Sequence, residues 1–176
     1  MNSNTFNPRF WVLTGMIIAA AFFRFLPHPP NFVPIAAMAL FGGAYFSNKK
    51  LAFLVPFAAM IISDMVIGFH SVMWAVYLSF ALIVVIGMSV RRNKKAGSII
   101  LASVSASVSF FVITNFAHWL IDPMYAKTGS GLAACYIAAV PFFHYTLLGD
   151  LFFVGVMFGA YELVKIKFPV LQEVKA

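Results

Sequence analysis

The chain has 176 residues, 62% of them hydrophobic and only 10% charged, with a mean hydropathy of +0.94 and a formal charge of +7. Average soluble domains carry about 25% charged residues, so the solvent around this chain has to be mostly lipid. That sets aside an ordinary soluble enzyme and a nucleic-acid-binding domain, and a single cysteine excludes an internal disulfide.

A bilayer core takes about 20 apolar residues per helix. In chain order the apolar runs predict spans at about 10–26, 32–46, 51–69, 72–90, 98–121 and 142–164. The first follows Arg9 with no small-residue cleavage site, so it reads as a span and not as a removable leader. The second is short and holds Pro34, Gly42 and Gly43, and the third carries Asp64 inside it. The last apolar stretch, 131–164, is too long for one crossing. Pro141 lacks an amide hydrogen and divides it, which predicts a short external helix at 131–140 before the sixth span.

Lysines and arginines set the orientation. Arg9, Lys49, Lys50, Arg91, Arg92, Lys94, Lys95, Lys165, Lys167 and Lys175 all fall on one side of a six-span arrangement, ten of the twelve basic residues. That side reads as cytoplasmic, with both termini inside, and its basic loops serve topology and lipid headgroups. The predicted fold is therefore an all-α integral membrane protein, a compact bundle of six transmembrane helices in a single domain over 1–176.

Varied chemistry collects on the opposite side. All four histidines, His28, His70, His118 and His144, lie at or near it, with Arg24, Asn31, Asp122, Tyr125, Cys135 and Tyr145. Asp64 and Asp150 lie deeper. A charge at depth costs a few kcal/mol on insertion scales, so it faces a partner or a cavity. Three readings follow for these acids: a structural pair with Arg24, the lining of an outward-open polar cavity, or proton coupling. On the fifth span, Asn115, His118 and Trp119 are three or four apart and share one helical face, a surface on which a flat polar ligand could bond and stack. Ser103 with Ser107, Gly155 with Gly159, and Gly15 with Ala19 have small-xxx-small spacing, which predicts close helix packing.

Other motifs carry less. Lys127-Thr128-Gly129 and Ser47-Asn48-Lys49-Lys50 resemble pieces of a serine-enzyme signature but fall on opposite sides of the membrane. No phosphate-loop pattern occurs, and no two histidines sit i, i+4 on one helix, so no metal or cofactor is expected.

The blocks "LPHPPNFVPIAAMALFGGAYF", "ISDMVIGFH", "TNFAHWL" and "GLAACYIAAVPFFHYTLLGDLFF" resemble a bacterial family of transport-type membrane proteins. That family looks related to the substrate-binding S components of energy-coupling-factor (ECF) vitamin transporters. The resemblance implies capture of a vitamin-like micronutrient in an outward-facing pocket, in the bacterial inner membrane. It also implies docking to a membrane coupling subunit driven by ATPases, through small residues on the first helix. Gly15-xxx-Ala19 stands where that group carries Ala-xxx-Ala.

The expected protein is thus a transport protein, not an enzyme, whose partners are lipids, a small-molecule ligand and an ECF-type coupling subunit. Asn115, His118, Trp119, His144, Tyr145 and Asp150 are expected to line the site, with Asp64, Arg24 and Asn31 closing or ordering it. Two alternatives stay open: a membrane enzyme or cofactor-handling protein using Cys135 and the external histidines, and a non-transporting subunit or assembly factor. The prolines of 27–34 break the chain between the first two spans, and interrupted spans often mark transporter sites. Arg24 and His28 then belong to a rim over the outer pocket.

Overall fold

A computed structural model of the chain describes residues 7–171. They form six α-helices, α1 (Pro8–Phe23), α2 (Ile35–Tyr45), α3 (Lys49–Ile67), α4 (Met73–Ser89), α5 (Ala96–Ile121) and α6 (Gly129–Lys167), then one 3₁₀ turn at Pro169–Leu171. Local chemistry sets several ends. The Asn7 and Asn48 side chains accept from the amides of Phe10 at 2.9 Å and Lys50 at 2.8 Å, and so cap α1 and α3. Thr128 does the same for α6. Gly68, at φ +108, ends α3 in a conformation that a side chain would disfavour.

α3, α5 and α6 are long and apolar enough to cross a membrane, which suggests a membrane protein, and α1, α2 and α4 are apolar but shorter. α2 has 11 residues, about 16 Å at 1.5 Å per residue, roughly half a hydrocarbon core. Every residue from Ala36 to Tyr45 is buried, so α2 forms the axis around which the other helices pack. Glycines permit that packing. A Cβ on Gly43 would stand 2.2 Å from the Val84 carbonyl, and one on Gly87 would stand 2.4 Å from that of Leu40, so α2 and α4 cross backbone to backbone. Gly42 makes room for the ring of Pro56, which α3 carries in its interior. The last carbonyls of a helix need donors. Here Arg9 donates to the Tyr45 carbonyl at 2.6 Å and Arg91 to the Gly43 carbonyl at 2.6 Å, two cations placed at the negative end of the α2 dipole.

Two expectations are corrected. The external helix at 131–140 and the helix after it are one continuous 39-residue helix, α6, with Pro141 inside it. A proline removes one ladder bond, and the many others of so long a helix hold it together through the gap. α2 stands where a short second span is expected, and it is short and enclosed from Ala36 to Tyr45. Of the three small-residue pairs, Ser103 and Ser107 are fully buried as packing requires, but Gly15, Gly155 and Gly159 have nothing within 4 Å of a built Cβ. They face outward, on a surface that also exposes Ile18, Phe22, Phe152 and Leu163.

The bundle has two chemically distinct ends. At one, Arg9, Arg91 and Lys94 gather around the end of α2. There Tyr45 donates to Glu162 at 2.7 Å, Glu162 pairs with Lys165, and the Lys94 ammonium lies 5.3 Å from the Tyr45 ring centre. The other end, reached by the loops after α1, α3 and α5, carries the candidate site.

Candidate functional site

Two buried carboxylates organise this end differently. Asp64, near the end of α3, is fully engaged. Its Oδ1 accepts from Arg24 Nη2 at 2.6 Å and its Oδ2 from the Tyr77 hydroxyl at 2.7 Å. The other guanidinium nitrogen donates to Ser63 Oγ, and Ser63 in turn donates to the Met60 carbonyl at 2.9 Å. The side chains of Arg24 and Asp64 are 9% and 2% exposed. α1, α3 and α4 are therefore joined by a closed ionic network in which both carboxylate oxygens are taken. Arg24 thus does not lie on a rim. It is the buried counter-ion of Asp64, the structural pair among the three readings of the acids.

Asp150, on α6, is 3% exposed and has no cationic partner among the described residues. Among the described residues its one hydrogen-bond contact is Ser107 Oγ on α5, 2.6 Å from Oδ2. Ser107 Oγ also lies 3.0 Å from the Ser103 carbonyl. A hydroxyl has one proton to give. Donated to an ionised Asp150, it is lost to Ser103; donated to Ser103, it leaves Oγ to accept from a protonated Asp150. The pair accommodates either charge state. Beside it lies a cavity of about 90 Å³ lined by Asn31, Val33, Ile35, Ala36, Phe110, Thr146 and Asp150.

The loop between α1 and α2 lines that cavity with Asn31 and Val33, and its sequence explains its shape. The Phe32 amide bonds back to the Pro29 carbonyl at 3.1 Å, closing a turn with Pro30 second and Asn31 third. Asn31 sits at φ +63, the left-handed conformation that such a turn requires and that Asn tolerates well. Phe32 then presses on α6 where there is no side chain: a Cβ on Gly149 would stand 3.1 Å from Phe32 Cα. Gly149 seats the loop, and its neighbour Asp150 faces the cavity beneath.

The other expected site residues are used elsewhere. Asn115 donates to the Phe111 carbonyl at 2.8 Å, within its own helix. Trp119 Nε1 donates to the Ala126 carbonyl at 2.9 Å, and Lys127 donates to the carbonyls of Trp119 and Asp122. His118 Nε2 lies 3.8 Å from Asp122 Oδ2. Of the face shared by Asn115, His118 and Trp119, the latter two thus tie down the loop between α5 and α6, while Asn115 bonds within its own helix. Gly131 lets that loop pack close, since a Cβ there would stand 2.0 Å from the Ala126 carbonyl. His144 and Tyr145 are exposed, with ring centres 4.0 Å apart, and do not line the cavity. His28 bonds the Leu26 carbonyl at 2.6 Å, closing its own turn. Cys135 is 2% exposed, with Sγ 3.6 Å from the Asn115 carbonyl. Among the described residues no three His, Cys, Asp or Glu side chains come together as metal ligands would.

Of the nine expected residues the structure therefore brings only Asn31 and Asp150 to one cavity, and joins Arg24 and Asp64 in a separate network. Ser107, Phe110, Thr146 and Tyr77 were not foreseen as site residues. Ser107 carried a signal, a serine in an apolar helix, but its spacing from Ser103 pointed to packing alone.

From residue 4 to residue 171 the chain matches the model of a family of unknown function (DUF6580), and it belongs to that family. No curated protein matches it, and no solved structure does.

Proposed function

We propose that the protein is a multi-pass membrane protein of the bacterial inner membrane, with both termini inside, that binds a small polar ligand from the outer side for uptake. The observation that carries this reading is the cavity under the α1–α2 loop, in which a buried carboxylate without a cationic partner faces empty space. A structural acid is closed by partners, as Asp64 is; an acid left open beside a cavity suits a ligand. The apolar outer surface, with Val66, Leu101, Leu163 and Ile166 each about 70% exposed, suits lipid contact. In such a setting α2 is a half-length helix whose ends meet protein groups rather than lipid, as irregular backbone at membrane depth must.

The resemblance to S components supplies the transport part of the proposal and its direction. A vitamin-sized ligand needs several times the room of this cavity, so on this reading the loop over Asn31 lifts off Gly149 to admit it. An ATPase-driven coupling subunit would dock on the outward face of α1 around Gly15 and Ala19. The buried, hydrogen-bonded Cys135 is poorly placed for covalent or metal chemistry, which favours binding over the enzyme reading.

Native mass spectrometry of the full chain extracted from its host membrane tests the proposal. A retained small molecule that is lost in Asp150→Asn and kept in Asn115→Ala is the expected result. Wild-type protein that carries no molecule and gains none from host extract would overturn it.

A further inference from the structure

The lining of the cavity also restricts what its innermost part holds. Three residues with polar side chains line it, Asp150, Thr146 and Asn31, and the rest of its lining is apolar: Val33, Ile35, Ala36 and Phe110. An anion would meet a carboxylate. A neutral group would leave a buried carboxylate without a counter-charge, which is unfavourable unless it is protonated. A divalent ion such as calcium or magnesium wants six or more oxygen ligands, and three side chains among hydrocarbon walls do not supply them. A nitrogen cation fits better. It carries few N–H donors, tolerates apolar neighbours and is attracted to an aromatic face. A cavity of about 90 Å³, on a measure by which a single water needs about 10–15 Å³, has room for an ammonium-type head.

Resting on the binding reading above, we propose that this cavity is a recognition site for a protonated amine, ammonium itself or the aminomethyl-sized end of a larger ligand. Asp150 supplies the counter-charge, Thr146 and Asn31 accept N–H bonds, and Phe110 closes the apolar side. When the cation is present Ser107 gives its proton to Asp150 and not to Ser103. When it is absent the proton arrangement on the Ser107–Asp150 pair is free to reverse.

The test uses the full-length protein in detergent and methylammonium chloride as the probe, with sodium chloride at equal ionic strength as the reference. Methylammonium is expected to raise the apparent Tm saturably, by about 2–4 °C near saturation, and sodium is not. The rise is expected to vanish in Asp150→Asn, which keeps an acceptor for Ser107, and to shrink in Asn31→Gly, which removes the amide but suits the left-handed backbone. Equal responses to both salts, or a methylammonium response that survives in Asp150→Asn, would overturn the amine assignment. If methylammonium has no effect while native mass spectra still show a molecule lost in Asp150→Asn, the amine assignment falls and the binding reading stands. If no molecule is found either, both fall.

Discussion

Asp64 and Asp150 have the same side chain, each on an apolar helix and each almost fully buried, and their surroundings differ in one respect. Asp64 has a cation and a phenol on its two oxygens. Asp150 has one serine and a cavity. Burial alone therefore says little about function, because a buried charge is tolerated either when the fold answers it or when something else does. The first acid joins three helices. The second is left available.

The comparison is broken most severely by removing the cation. Arg24→Met leaves Asp64 buried with only Tyr77, and is expected to cost about 3–5 kcal/mol. Thermal melts in detergent should show it as a large fall in apparent Tm, while Arg24→Met combined with Asp64→Leu recovers much of the loss. A smaller effect is expected at the other acid when its cover is disturbed. Gly149→Ala sets a methyl against the Phe32 backbone and should cost about 1–3 kcal/mol. The same variant should carry less retained ligand in native mass spectra, because the loop bearing Asn31 is pushed away from Asp150. The smallest effect belongs to a residue that sequence spacing favoured. Asn115→Ala loses one bond within its own helix and should change stability by under about 0.5 kcal/mol, with ligand retention unaltered.

Much of the fold was legible because apolar run length is a direct readout of helix position. All six observed helices overlap the runs, and α1 to α5 each start and end within three residues of them. The misses have physical causes. Pro141 looked like a break because a proline costs a hydrogen bond, but α6 absorbs that loss. The close helix crossing lies at Gly43 and Gly87, 44 positions apart, where no spacing rule reaches. The site was legible only in part. Asp64, Asp150, Arg24 and Asn31 stood out as polar residues in or beside apolar runs, but which acid Arg24 would choose depends on how α1 meets α3. The face shared by Asn115, His118 and Trp119 was a true helical face. Its polar groups were claimed by the adjoining loop, for His118 and Trp119, and by the helix's own backbone, for Asn115, a competition that periodicity cannot show.

The most direct test of the contrast replaces each acid by its neutral isostere and compares apparent Tm under one set of conditions. Asp64→Asn leaves the Arg24 guanidinium buried without its carboxylate and is predicted to melt roughly 6–20 °C lower than wild type. Asp150→Asn removes an unanswered charge, keeps the Ser107 contact, and is predicted to melt within about 2 °C of wild type or above it. If Asp150→Asn instead fell as far as Asp64→Asn, both acids would be structural ties, and the cavity would lose its claim to a ligand.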